Sequence, residues 1–203
     1  MIIDIHNHTS RYSSCSVISP DELIKIYIKN RIDGICITEH NYLWPKKEQI
    51  VFQKKYNGLI KIFFGIELST DIGHILVFGI DINNLELIYN FKDLINNLDK
   101  EKNVLIWAHP FRWEIKKGLK INRKFINNFD AIELYNGCLN EKQIEKTKKV
   151  LKKYNARYTG GSDTHSKEMT SKYATFFDNE INNLNDLTNN IKYHNYYPVI
   201  IYN

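Results

Sequence analysis

Cysteine is scarce in this chain of 203 residues: Cys15, Cys36 and Cys138 form an odd set without paired spacing. That pattern excludes a disulfide framework and a cysteine-based zinc finger, and it predicts a reducing compartment. No apolar run approaches the length that spans a bilayer. No targeting segment is expected either, since the apolar start is only Met1-Ile2-Ile3. Together these absences predict a soluble, cytoplasmic protein with no membrane partner. A Walker-type loop, a dinucleotide fingerprint and a Gly-x-Ser-x-Gly elbow are also missing, which removes the familiar signatures of nucleotide cradles and serine hydrolases. Internal repeats and low-complexity linkers are absent. What remains is 43% hydrophobic and 25% charged, enough for a single domain over residues 1–203 with a sizeable core. The net charge is 28 − 23 = +5. That mild excess favours anionic partners in general and is too scattered to mean nucleic acid alone.

Apolar, β-rich runs alternate with amphipathic stretches. Strands are predicted over Ile2–Ile5, Gly34–Ile37, Ile60–Ile66, His74–Ile80, Val104–Ala108, Ala131–Tyr135, Arg157–Thr159 and Val199–Tyr202. Helices are predicted over Phe91–Leu98, Asn122–Phe129, Asn140–Tyr154 and Leu184–Tyr193. Another begins at Ser19-Pro20-Asp21-Glu22, with Ser19 as the cap, Pro20 in the first turn and Glu22 in the capping-box position. This alternation argues for an α/β sheet or barrel.

Six of the seven histidines lie beside carboxylates, in short motifs at the ends of apolar runs. Histidine is the commonest metal ligand, and strand ends are where a barrel builds such a site. His6 and His8 are two apart after the first strand and so share a side; the pair can grip one cation. His40 closes Ile-Cys-Ile-Thr-Glu-His and reads as a ligand that Glu39 would orient. Glu67 ends a strand and, as a carboxylate, can bridge two cations, whereas His74, just past a glycine turn, can serve one. His109 precedes Pro110, which stiffens the turn towards Arg112. The planar fork of Arg112 suits phosphate oxygens, with a plain surface arginine as the alternative. Asp163 and His165 alternate in Gly160-Gly161-Ser162-Asp163-Thr164-His165, where the glycines permit close backbone approach. Glu133 ends another apolar run and could be a ligand, a hydrogen-bond acceptor behind one, or a buried structural acid; the place behind a ligand is the one assigned. Histidine with carboxylate selects poorly among zinc, manganese and iron.

The ordered set His6-x-His8, Thr38-Glu39-His40-Asn41, Gly65-Ile66-Glu67 with His74, Ala108-His109-Pro110, Glu133-x-x-Asn136 and Ser162-Asp163-x-His165 resembles the PHP (polymerase and histidinol phosphatase) family from Ile3 to about Ser166. The resemblance implies a distorted (β/α)7 barrel with two or three divalent cations at the C-terminal mouth of its strands. The first cation would take His6, His8, Glu67 and Asp163. Glu67 would bridge to a second, held by His74 and His109. A third would take His40 and His165 plus a residue soon after His8, where many members have an aspartate or histidine. Here that stretch reads Arg11-Tyr12-Ser13-Ser14-Cys15-Ser16, so only Cys15 or water could fill the place. Asn136 would stand with Glu133 behind the ligands.

The activity so implied is hydrolysis of a phosphate ester by a metal-bridging hydroxide. Arg112 and Arg11 would bind the phosphate, and Glu39 or a bound water would protonate the leaving group. A small phosphomonoester or nucleotide is the first expectation for the substrate and an oligonucleotide end the second. Two other readings are a non-catalytic, metal-stabilised partner module and an amide or lactone hydrolase using the same site.

Overall fold

The apolar runs become strands of one mixed sheet. In the computed structural model, which describes residues 1–80, 90–113 and 116–201, these strands are β1 (Ile2–Asp4), β2 (Gly34–His40), β3 (Lys61–Thr70), β4 (Gly73–Phe78), β5 (Val104–Trp107), β6 (Ala131–Asn136), β7 (Tyr158–Gly161), β8 (Tyr173–Phe177) and β9 (Tyr196–Ile200). Their spatial order is β7-β6-β5-β4-β3-β2-β1-β8-β9. β1 to β3 are mutually parallel, as are β5 to β7. β4 runs antiparallel between β3 and β5, β8 antiparallel to β1, and β9 antiparallel to β8. The sheet curls until its ends approach: the Thr175 hydroxyl on β8 donates to the Gly160 carbonyl of β7 at 2.9 Å and accepts from the Gly160 amide at 3.0 Å. The outcome is the expected distorted α/β barrel. The antiparallel β4, β8 and β9 are its departures from regular alternation.

The helices are α1 (Pro20–Lys29), α2 (Lys46–Lys55), α3 (Phe91–Asn97), α4 (Arg123–Ile126), α5 (Glu141–Tyr154) and α6 (Leu184–Tyr193). α1 starts as its sequence dictates, with the Ser19 hydroxyl accepting from the Glu22 amide at 3.3 Å. α5 carries a complete capping box between Asn140 and Gln143. Two elements have no counterpart in the sequence reading. Seven of the ten residues of α2 are Lys, Glu or Gln, and its apolar residues form one run, Ile50-Val51-Phe52, so it shows no apolar stripe. β8, Tyr-Ala-Thr-Phe-Phe, is the other. The expected final strand is shifted to Tyr196–Ile200, and Tyr202 lies outside the described residues. No described helix is long and apolar enough to cross a membrane.

Strand alternation decides what reaches the barrel interior, because successive side chains face opposite ways. On β2, Ile35 and Ile37 join Leu23, Tyr27 and Trp44 in the layer under the helices, whereas Cys36 joins the inner cluster with Ile3, Phe63, Leu76 and Phe78. On β3, Phe63 is inner, and Ile62, Phe64 and Ile66 are outer. Extending each inner row towards the strand end gives His40 on β2 and Glu67 on β3. Running back along β4 from Phe78 and Leu76 gives His74. β2 and β3 reach further than expected, to His40 and Thr70, so these polar groups stand on strands and not on loops. Each fully buried Ile, Leu or Phe in these layers contributes roughly 1.5–3 kcal/mol. The apolar floor is thus the rigid support for a polar mouth.

Candidate metal centre

Glu67 is the hub of that mouth. Its carboxylate is fully buried, and its two oxygens face different imidazoles. Oε1 lies 2.8 Å from His74 Nδ1 and 2.9 Å from His109 Nε2. Oε2 lies 2.8 Å from His40 Nδ1 and 3.2 Å from His8 Nε2. The register puts His40 directly beside Glu67 on the neighbouring strand. Asp163 follows β7 and is the second carboxylate: Oδ1 is 3.3 Å from His8 Nε2 and 3.5 Å from both His6 Nε2 and His165 Nδ1. The imidazoles crowd one another, with 3.1 Å between the Nε2 atoms of His6 and His8 and 3.4 Å between those of His40 and His165. His109 and Asp163 reach their places with φ of 27° and 53°, a left-handed strain of the kind that functional sites retain.

The structure therefore gathers His6, His8, His40, Glu67, His74, His109, Asp163 and His165 at one point. Four overlapping sets of three have ligand atoms all within 4.8 Å: His6, His8, Glu67; His6, His109, Asp163; His40, Glu67, His74; and His8, His40, His165. These sets cut across the expected division between cations. His109 groups with His6 and Asp163, and His74 with His40, because Glu67 sits centrally enough to belong to several sets. His194, the histidine outside the motifs, is exposed at the end of α6.

Glu133 and Asn136 stand behind this cluster. Glu133 Oε1 lies 2.9 Å from His6 Nδ1, and Oε2 accepts from the His109 amide at 3.0 Å and from Asn136 Nδ2 at 2.9 Å. Asn136 also donates to Asp163 Oδ2 at 3.2 Å. An acceptor on Nδ1 keeps a proton there, so that Nε2 is the nitrogen a cation at the centre would take. Gly161 makes this contact possible, since a Cβ there would lie 2.6 Å from His6 Cβ and 3.0 Å from Glu133 Oε1. Gly161→Ala is expected to displace His6 and weaken zinc binding by roughly 10–100-fold. Calorimetric titration checks this, and an unchanged affinity would remove the argument for close approach.

Arg112 also lies beside the cluster. Its amide bonds the His109 carbonyl at 2.9 Å, closing the turn through Pro110, and Nη1 donates to Asp163 Oδ2 at 2.9 Å. The guanidinium lies over Trp113, 4.9 Å from the ring centroid. Two other expectations are corrected. Arg11 does not join the cluster. Its guanidinium is bound by Glu48 at 2.5 Å and lies over Trp44, 5.1 Å from that ring. Glu39 is not available as a proton donor, because each of its oxygens already takes two donors. Oε1 accepts from the Thr9 hydroxyl and, at 3.1 Å, from Trp44 Nε1; Oε2 accepts from the Thr9 amide at 3.0 Å and the Ser13 hydroxyl at 2.5 Å. As neighbours on one strand, Glu39 and His40 must face opposite ways, and Glu39 takes the helix side with Trp44. Cys15 is exposed and belongs to none of the ligand sets.

Sequence reasoning also passed over a buried polar knot beneath the cluster. Asp4 accepts from the amides of His6 (3.2 Å) and Ser162 (3.0 Å) and from Tyr27 Oη (2.7 Å). Burial pushes its pKa up to about 6 against those hydrogen bonds. Its signal was present in the alternation Asp4-x-His6-x-His8.

The electrostatics of the cluster favour charge separation. Burial alone would lower the His6 pKa, but Glu133, Asp163 and Glu67 outweigh it and hold it well above its ordinary value. Burial would raise Glu67 and Asp163, yet the surrounding imidazoles, His6 foremost, keep both well below theirs. His165 is pushed down to about 4 by burial and by His8, and His40 is lowered mainly by burial. A cation set fits these residues. Glu67 Oε2 and Asp163 Oδ1 are buried without a hydrogen-bond partner although ring nitrogens stand 2.8–3.5 Å away. Donor atoms that converge on shared points without pairing suit cations lying between them.

A sequence model of the PHP domain matches residues 4–193. The chain belongs to the PHP domain family. No curated protein sequence matches it significantly. Solved structures similar to this PHP chain include PsfC from Pseudomonas syringae PB-5123, with a TM-score of 0.71 and 17% identity over 98% of this chain and 91% of that one. An amidohydrolase from Chromobacterium violaceum, with bound sulfate and no metal, has a TM-score of 0.61 and 14% identity over 81% and 88%. A candidate metal-dependent phosphoesterase from Bifidobacterium adolescentis has a TM-score of 0.59 and 14% identity over 80% and 87%. At these identities the likenesses show a shared fold alone.

Proposed function

We propose that this PHP chain is a metal-dependent phosphoesterase whose substrate is a small phosphate ester, a phosphomonoester or a nucleotide. The observation that carries the phosphate reading is Arg112. It is held by the His109 turn and by Asp163, at the edge of a dense histidine–carboxylate cluster. Its side chain is 28% exposed, whereas those of Glu67, Asp163, His6 and His8 have no exposure. The guanidinium is thus the cationic group that an incoming anion meets.

His6, His8, Glu67, His74, His109 and Asp163 would hold two cations, with His40 and His165 beside His8 for a third. When bound, such cations supply a nucleophile at neutral pH and Lewis-acid stabilisation of phosphoryl oxygens. Glu133 keeps His6 presenting Nε2. Arg112 neutralises the phosphate charge that the ligand set leaves uncovered. The leaving group takes its proton from solvent at the open mouth, since Glu39 has no free oxygen. Beside His74 and His109 opens a cavity of about 340 Å³, reaching Trp113 and Lys116. That volume suits a small leaving group.

The test is hydrolysis of an aryl phosphate and a nucleotide panel by purified protein supplied with manganese or zinc. Turnover should disappear with a chelator and return with metal. Hydrolysis of amides or lactones alone would overturn the phosphate reading, and full metal loading without any hydrolysis would identify a non-catalytic module.

A further inference from the structure

The loop after His8 brings no acid or histidine to the centre, but it brings a hydroxyl. Ser13 is buried, and its Oγ has three polar neighbours. It donates to Glu39 Oε2 at 2.5 Å, accepts from the His40 amide at 3.1 Å and lies 3.3 Å from His8 Nδ1. An ionised carboxylate only accepts, so the single hydroxyl proton is committed to Glu39. Ser13 Oγ is then an acceptor towards His8, which must carry its proton on Nδ1 to bond it. In the neutral ring the lone pair is then on Nε2, the atom that faces Glu67 Oε2 at 3.2 Å and Asp163 Oδ1 at 3.3 Å, where a cation between them would take it. Both histidines of the His-x-His pair are thereby backed by a buried glutamate, His6 directly through Glu133 and His8 through Ser13.

We propose that Ser13 is a positioning residue which, with Glu39, fixes the Nδ1–H tautomer of His8 and so presents its Nε2 to a cation. This inference rests on the metal-centre reading above. It gives Thr9 and Trp44 a purpose too, because their hydrogen bonds hold the Glu39 carboxylate in place as the end of the relay. It also accounts for an invisible feature of the sequence: a serine five residues after His8 carries no ligand signature of its own.

The experiment uses zinc-loaded protein with 15N-labelled histidine. In the wild type, His8 should bind zinc through Nε2 and show an Nδ1–H proton protected from solvent exchange. Ser13→Ala, with its fold checked by circular dichroism, should lose that protection and raise the zinc Kd by roughly 10–100-fold. Ser13→Thr, which keeps the hydroxyl, should restore both. Wild-type affinity and a protected Nδ1–H in Ser13→Ala would overturn the proposal while leaving the metal centre standing. A wild type that takes up no zinc would overturn the metal reading and this one together. If Ser13→Ala does not fold, the wild-type spectrum decides: a protected Nδ1–H on His8 supports the relay, and its absence overturns it.

Discussion

Asp163→Ala and His8→Ala are each expected to lose roughly a thousandfold or more in phosphate-ester turnover, the several kcal/mol that metal-based charge stabilisation contributes. Asp163 touches His6, His8, His109 and His165 at 3.3–3.8 Å, so its removal takes a donor from every side of the cluster. His8 belongs to two of the four ligand sets. Both side chains are fully buried, so removing one partner leaves the remaining charges less compensated and lowers stability as well. Kinetics should therefore be measured on protein shown to be folded by circular dichroism, with metal content determined on the same sample. Wild-type turnover in both folded variants would refute hydrolysis at this centre.

Arg112→Ala is expected to cost about 2–4 kcal/mol in kcat/KM for phosphate esters, the range for loss of one preorganised charge-stabilising donor. Metal stoichiometry should be unchanged, since a guanidinium cannot ligate a cation. Lysine should recover part of the loss, because it supplies the charge without the planar fork. Lysine also stacks less well on Trp113, over which the wild-type guanidinium lies. The comparison is made at matched metal occupancy. Equal efficiency in all three proteins would remove Arg112 from catalysis, and with it the main reason to prefer phosphate over amide or lactone substrates.

The candidate ligands were legible because each sits at one end of an apolar run. A histidine or carboxylate at such a boundary must emerge at the strand end, and eight residues read this way meet in space. The supporting shell was partly legible. Glu133 and Asn136 close an apolar run three residues apart, and both reach the cluster. Glu39 was misread although the means to read it were present: Cys36 and His40 share one face of β2, so Glu39 had to face the helices. Arg11 was misread for another reason. Its partner Glu48 lies on α2, a helix whose lack of an apolar stripe hides it. Ser13 could not be found from the sequence, because a serine five residues after His8 carries no ligand signature and its bonds to Glu39 and the His40 amide are joined only by folding. The antiparallel placement of β4, β8 and β9 was hidden too, since alternation of apolar runs fixes neither strand direction nor order.

The central claim is that this cluster holds metal. It is tested most directly by crystals of protein grown with manganese or zinc and measured with X-rays on both sides of the metal absorption edge. The account expects at least two anomalous peaks, one on each side of the Glu67 carboxylate, within ligand distance of His6, His8, His74, His109 and Asp163. A well-ordered site with Glu67 and Asp163 in place and no anomalous peak among these residues would contradict it.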